Sequence, residues 1–439
     1  MGNTAAFLYG ESLSIAAFLQ HPVPWKDSVL GAICFSADAG EREAMQKDAD
    51  IPCVAVPMHR LDAGESYCEI WHGSAQLKQG RQDDIRYRHD ADVLFGVIEL
   101  TENAFPGDAD KTPLQQATES AYRQIFALLD ALDYPYLFRF WNYIADINAC
   151  SFELERYRQF NLGRQDAFLA YGRDLAENVP AACALGSPQG PLTIAFLAGR
   201  VRSAAIENPR QISAYQYPPQ YGPRSPVFAR ASLVRMGESE MLFISGTASI
   251  VGHETLHPGD VVAQTHETMT NIEAVLSEAN RVAGQPCFCL ADLHYKVYVR
   301  HPADLPRIRS VLETRAGGRI KPFICRRMFA VRICWSKSRR QQRIHPSLSG
   351  ISGIDDARHS TWVAEYLRLS GAVSRPDLAG ADMSGMDADR IDRPPVIAGT
   401  LGTSAWALRY HLGLSFLSRQ LDRFPALQFR SDGTGRVAR

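Results

Sequence analysis

Glutamate all but disappears from the end of this 439-residue chain: residues 1–320 hold 19 Glu, residues 321–439 only Glu365. Lysine is scarce throughout, 5 in residues 1–320 and 2 in residues 321–439. The last 119 residues carry 17 Arg and 2 Lys against 9 Asp and 1 Glu, a charge of +9, while the first 320 carry −10. A functional nucleic-acid arm would be expected to mix Lys with Arg in tight runs, and beyond "SKSRRQQR" there is none. Other absences narrow the function. There is no glycine-rich phosphate loop, no GxSxG nucleophile elbow and no zinc ribbon. No apolar run is long enough to span a membrane, and the start, "MGNTAAFLYGESLSIAAFL", lacks the basic n-region of a signal peptide. The nine cysteines are scattered without a CxxC pair. Cys287 and Cys289, two apart, suit opposite faces of a strand. The expectation is a reduced, cytoplasmic protein that binds neither membrane nor nucleic acid.

What is present is a repeat at an offset of about 147 residues. The strand-like runs "DVLFGVIEL" and "MLFISGTAS" each precede a helix, "TPLQQATESAYRQIFALLDAL" and "DVVAQTHETMTNIEAVLSEAN". Ile272, Val275 and Leu276 have the i, i+3, i+4 spacing of a buried helix face. Each helix leads to an aromatic-rich strand, "YLFRFWNYIADI" and "DLHYKVYVRHPADL", and then to a second helical pattern. In the first copy a strand pair follows, "PAACALG" and "PLTIAFLAGR". The second copy calls for its own pair just after Arg319. Instead comes "KPFICRRMFAVRICWSKSRRQQ", which has neither a helical stripe nor clean alternation.

Three stretches carry candidate chemistry. "YQYPPQYGPRSPVFARA", from Tyr215 to Ala231, combines three Tyr, four Pro and two Arg. Arg224 and Arg230 there suit bidentate capture of carboxylates, with Tyr217 and Tyr221 as further donors; the same composition also suits an inter-domain connector. "ERYRQFNLGR" places Arg158, Asn161 and Arg164 near one helical face, which as readily describes a solvated surface. "FISGTAS" ends a strand in small residues, so the amides of Ser245, Gly246 and Thr247 offer an anion site or merely form a turn. A fourth, "HETLH" from His253 to His257, matches the HExxH zinc motif in letters. Gly252 before it and Pro258-Gly259 after it argue for a loop rather than the helix that motif needs, and no metal is expected.

Together, "RFWNYIADIN", "ERYRQFNLGR", "YQYPPQYGPRSPVFARA" and "FISGTASIVGHET" resemble the chorismatase family of the RidA/YjgF superfamily, over about residues 50–320. The resemblance implies an α+β fold of two tandem RidA-like (chorismate mutase-like) units. It places the first at 1–205 and the second, short of its last strands, at 206–320, with an irregular tail over 321–439. It implies chorismate as the small-molecule substrate, pyruvate plus 3-hydroxybenzoate or a dihydroxy-cyclohexadiene carboxylate as products, no cofactor, and a monomer or a trimer. A RidA-like imine deaminase or small-carboxylate binder is the alternative. Substrate contacts carry over to Arg158, Arg164, Tyr217, Tyr221, Arg224, Arg230, Ser245, Gly246 and Thr247.

The resemblance breaks where the sequence turns opaque. Family members continue with a motif like "YLQADICRxDLLVEIEA". Codons can be written for residues 321–341 that, read from their third base, spell Thr-Val-Tyr-Leu-Gln-Ala-Asp-Val-Cys-Arg-Ala-Asp-Leu-Leu-Val-Glu-Ile-Glu-Ala-Ala. The choice is constrained, since Met328 and Trp335 have one codon each. The expectation is a frameshift after about residue 320. The family's general acid, the Glu of the "VEIE" strand, then falls at Ser336 and Lys337. The Cys that goes with 3-hydroxybenzoate formation falls at Phe329-Ala330. As translated, the chain is expected to be inactive.

Overall fold

In a computed structural model the described residues are 8–47, 50–61, 65–74, 76–173, 179–237, 239–318, 323–326, 333–337 and 363–366, all within one compact unit. The expected irregular tail, beyond the short segments just given, and Phe329-Ala330 lie outside the described residues. Among the described residues no helix is long and apolar enough to cross a membrane.

The first seventy residues, for which the repeat made no prediction, form a sheet of their own. Strand β1 (Tyr9–Ser14) is followed by two short helices, α1 (Ile15–Gln20) and α2 (Val23–Lys26). Then come β2 (Val29–Ser36), α3 (Ala39–Lys47), β3 (Cys53–Pro57) and β4 (Tyr67–His72). The order is β1-β4-β2-β3, with β2 and β3 parallel across the α3 crossover. Every residue of β2 is buried, as expected for a strand covered on both faces. Cys34 stands opposite Cys68 in the β2–β4 register and the two are disulfide-bonded, with Cys53 Sγ 3.6 Å from Cys34 Sγ. This corrects the expectation of wholly reduced cysteines: a 34-residue separation hides a cross-strand neighbour.

The second sheet contains the first copy of the repeat. It comprises β5 (Lys78–Gln82), β6 (Ile85–His89), β7 (Val93–Leu100), helix α4 (Pro113–Leu132) and β8 (Tyr136–Ala145). A small hairpin, β9 (Cys150–Ser151) and β10 (Leu154–Glu155), leads to α5 (Arg156–Ala170), then β11 (Ala181–Ser187) and β12 (Leu192–Gly199). The order is β11-β8-β12-β7-β6-β5. The anticipated "strand pair" is thus not a hairpin: β8 lies between β11, parallel to it, and β12, antiparallel. Helix α4 starts where Thr112 accepts the Gln115 amide ahead of Pro113, and stops at Asp133 in the left-handed region. Its buried residues Leu114, Thr118, Ala121, Tyr122, Ile125 and Leu129 follow the helical period. Helix α5 lies so close that a Cβ on Gly163 would sit 2.2 Å from the Gln115 carbonyl oxygen. Any larger residue there pushes the helices apart.

The third sheet follows with β13 (Ala204–Ile206), β14 (Ala231–Met236) and β15 (Ser239–Ser245). A two-stranded hairpin, β16 (Ile250–Val251) and β17 (Glu254–Thr255), precedes α6 (Val261–Ala283), β18 (Tyr295–Val299), α7 (Leu305–Ala316), β19 (Phe323–Arg326), β20 (Ile333–Lys337) and β21 (Val363–Tyr366). Asp260 caps α6 through the Val262 and Ala263 amides, and Gly284 ends it at positive φ. Cys287 and Cys289 sit in the loop after α6, not on a strand. Their thiols donate to Glu240 and Asp292. The strand order is β13-β14-β15-β20-β21-β18-β19.

The three sheets turn one face each toward a common core. Strand alternation divides the side chains. On β15, Met241 and Phe243 face this core, while Leu242 and Ile244 face α6 and α7. On β8, Trp141 and Tyr143 face it, while Phe140 and Ile144 face α4 and α5. Trp71 of the first sheet meets Trp141 of the second and Phe243 of the third, both at 5.6 Å between ring centroids. Beside them Lys296 of β18 is ion-paired with Glu69 of β4, both side chains 3% exposed, and the ammonium lies 4.8 Å from the Phe35 ring.

Two charges this deep hold together only as a pair. Glu69→Leu alone should cost about 3–5 kcal/mol in urea unfolding, because Lys296 is left uncompensated, whereas Glu69→Leu with Lys296→Met should recover most of the loss. Additive losses in the double variant would contradict the pairing.

Candidate active site

The segment joining β13 to β14 carries four of the nine candidate residues, Tyr217, Tyr221, Arg224 and Arg230. Prolines and two short 3₁₀ turns, Ala214–Gln216 and Pro219–Tyr221, fix its path. Tyr217 and Tyr221 come together at 5.3 Å between rings. The Tyr221 hydroxyl donates to the His253 carbonyl at 2.8 Å and lies 3.1 Å from His253 Nδ1. Arg230 is buried; its Nη2 donates to the Ile212 carbonyl at 2.6 Å and to the Tyr217 hydroxyl at 3.1 Å. Its Nε is buried without a hydrogen-bond partner. Gly222, at φ +141°, brings the loop against α5, where a Cβ would lie 3.4 Å from Arg158 Cγ.

Helix α5 supplies the second guanidinium. Arg164 is 2% exposed. Its Nη2 donates to Asn161 Oδ1 at 2.9 Å, it lies 5.0 Å over the Phe160 ring, and its Nε too is buried without a partner. Burial raises the Tyr122 hydroxyl to about 12 and pushes Tyr157 up as well, while Arg164 pulls both down. Tyr157 also feels Tyr217 and so joins the two halves of the cluster. Neither Arg164 nor Arg230 has a carboxylate within ion-pair distance among the described residues.

The remaining candidates divide. Arg158 is half-exposed at the rim, 3.5 Å from Glu155. Arg224 is exposed and makes no hydrogen bond or ion pair with the cluster. Ser245 does not offer its amide to an anion: that N–H donates to the Arg230 carbonyl at 2.7 Å, and its Oγ accepts the Ala182 amide at 2.9 Å. It ties β15 to β11 and holds Arg230 in place. Gly246 and Thr247 are buried beside it, with Thr247 Oγ1 donating to the Ser245 carbonyl at 3.1 Å. The "HETLH" segment is a hairpin with Gly252 at φ +58°, and its two histidines face different partners: His253 meets Tyr221, His257 lies 3.7 Å from Glu267. Ser336 and Lys337 stand in β20 opposite Leu242 and Met241 of β15.

Glu207 escaped the sequence reading. It follows β13 directly, and burial raises its pKa above the ordinary 4.5, opposed by Arg230. Its only signal is a lone acid closing the apolar run "SAAIE".

Comparison with known proteins follows from this geometry. Residues 69–198 match the family described as "Chorismatase FkbO/Hyg5-like, N-terminal". A chorismatase of Streptomyces rapamycinicus is 38% identical over 258 residues, 57% of this chain and 75% of that protein. The chain belongs to the chorismatase family. A Streptomyces hygroscopicus chorismatase is 40% identical over 57% of this chain and 72% of its own length. A 3-hydroxybenzoate synthase of that organism is 38% identical over 56% and 73%. A chorismatase crystal structure matches with TM-score 0.65 and 30% identity, covering 77% of this chain and 100% of its own.

The raised pKa of Glu207 sets a sign. The folded state holds this proton more tightly than the unfolded one, so the carboxyl's contribution is present below pH 4.5 and is lost as pH rises through the raised value. The Tm of the native chain minus that of Glu207→Gln should therefore fall as pH rises above 4.5 and then level off. A difference that is flat or rises would contradict the burial of this acid.

Proposed function

We propose that this protein, with its native ending, converts chorismate to pyruvate and 3-hydroxybenzoate, and that Arg164 and Arg230 grip the two carboxylates of the substrate. The observation that carries the reading is the pair of buried guanidiniums that have no carboxylate within ion-pair distance among the described residues, with only the Glu207 carboxyl buried near Arg230. A buried charge is costly unless compensated, and a dianion supplies both counter-charges through charge-assisted hydrogen bonds. Tyr217, Tyr221 and the amides of Gly246 and Thr247 orient it, with Arg158 at the rim. The reaction needs a proton on the methylene carbon of the enol ether, then water attack at the resulting oxocarbenium carbon and collapse of the hemiketal to release pyruvate, and finally loss of one water from the ring diol to give the aromatic 3-hydroxybenzoate. A carboxylic acid kept protonated in a low-dielectric site suits that step.

In this reading residues 1–205 and 206–320 are tandem RidA-like units, and residues from about 321 are translated out of frame. Strand order supports both. The second and third sheets share a plan: β11 and β19 are parallel to β8 and β18, and β5-β6-β7 and β13-β14-β15 are antiparallel meanders. In the second sheet one eight-residue strand, β12, bridges β7 and β8. In the third the same slot holds two short strands, β20 and β21, which meet through Cys334 and Val363. A chorismatase covered along its full length by 77% of this chain leaves the remainder unmatched. The missing strand is the one on which the acid is expected. A cytoplasmic monomer or trimer without cofactor completes the proposal.

Restoring the reading frame near codon 320 tests it. The repaired protein should release pyruvate from chorismate and accumulate 3-hydroxybenzoate. The chain as given should be slower by at least the ~10²–10⁴-fold typical of losing an essential acid. Equal pyruvate release from both would overturn the reading.

A further inference from the structure

The hairpin β16–β17, where "HETLH" begins, has no part in the chemistry proposed above, yet it reaches Arg230 by two routes. The first is backbone. Gly252 sits at φ +58°, in the left-handed region open to glycine. Its carbonyl accepts the Ile212 amide at 2.9 Å, and its own amide donates to the Arg210 carbonyl at 2.8 Å. Gln211 Nε2 adds a bond to the Ile250 carbonyl at 2.9 Å. The Ile212 carbonyl, fixed in this way, accepts from Arg230 Nη2 at 2.6 Å.

The second route runs through side chains. The Tyr221 hydroxyl donates to the His253 carbonyl and also lies 3.1 Å from His253 Nδ1. A hydroxyl has one proton and a carbonyl only accepts, so Nδ1 must carry its own proton and donate to the phenol oxygen. The two rings meet edge-on at 5.6 Å. Tyr221 therefore gives its proton to the hairpin, is not the further donor expected from the sequence, and acts through its ring. That ring packs on Tyr217, whose hydroxyl accepts from Arg230 Nη2 at 3.1 Å and whose ring lies 5.6 Å beneath the guanidinium. Both routes end on one nitrogen. Nη2 has two hydrogens, one for each route, which leaves Nε and Nη1 as donors for a ligand. The rest of the motif takes no part: Glu254 is exposed and His257 faces Glu267.

We propose that His253 is a positioning residue for Arg230: by donating from Nδ1 to Tyr221 it fixes the Tyr221–Tyr217 pair that aims the guanidinium at a substrate carboxylate. The inference rests on the reading of Arg230 as a carboxylate grip, so the test checks that reading separately. Chorismate is titrated calorimetrically into the full-length chain and its variants. Arg230→Met should weaken binding at least tenfold, the loss of a charge-assisted contact. His253→Ala should weaken it about three- to tenfold, the worth of one hydrogen bond. His253→Asn, whose amide nitrogen takes the place of Nδ1, should restore most of the binding. In a Tyr221→Phe background His253→Ala should weaken binding much less than in the native chain, because the hydroxyl it serves is gone. A role confined to folding would instead weaken binding by the same factor in both backgrounds. Binding that falls with Arg230→Met but is indifferent to His253→Ala, or equal losses in the two backgrounds, would overturn the positioning role alone. Binding indifferent to Arg230→Met, or absent up to about 10 mM chorismate, would overturn the carboxylate grip and this proposal with it.

Discussion

The sheet that contains β15 and β18 cannot stand with a gap between them. Each strand presents a row of backbone donors and acceptors to the other's side, and a buried sheet leaves such groups unpaired only at high cost. Something must fill the slot. In the second sheet β12 does so with eight residues, all buried and paired on both edges. In the third, "ICWSK" pairs with β15 and Val363–Tyr366 with β18. The fold thus demands a strand at the position where the sequence stops supplying a well-patterned one, and the same strand is expected to carry the proton donor. On the proposed reading, a frameshift there removes both the strand and the proton donor.

Around that slot the electrostatics fall into two kinds. Glu69 and Lys296 neutralise each other inside the common core and serve the joining of the first and third sheets. Arg164 and Arg230 are also buried, but their hydrogen bonds go to a tyrosine hydroxyl, a backbone carbonyl and an asparagine, and the Glu207 carboxyl buried near Arg230 makes no ion pair with it among the described residues. A structural arginine at such depth is normally paired. The loop and α5 meet where Gly222 approaches Arg158, and the charge of Arg164 and Arg230, held there without an ion pair among the described residues, is what the proposed binding site rests on.

Much of this was legible in residue order. Helix α6 was legible through the spacing of Ile272, Val275 and Leu276 and α4 through its likeness to it, while the loop with Tyr217, Tyr221 and Arg230 stood out by its proline and tyrosine but read equally as a connector. The order of β11, β8 and β12 was not legible, because a strand that inserts between two others leaves no local mark. Nor was the Cys34–Cys68 bond, since register between distant strands is set by packing. Arg224 and Arg230 look alike in sequence, yet only Arg230, beside β14, is drawn inward; Arg224 follows Gly222-Pro223 and stays exposed. Glu207 was missed because an acid becomes unusual only once its burial is known.

The central claim is that the native chain continues after about residue 320 in another frame. The nucleotide sequence across codons 315–345 tests it directly. Read from the third base of the present codons, it should spell a Cys followed by Asp-Leu-Leu-Val-Glu-Ile-Glu or a close variant, with a stop codon soon after. A stop codon within the first dozen codons of that frame, or no Val-Glu-Ile-Glu-like run in any frame, would contradict the account.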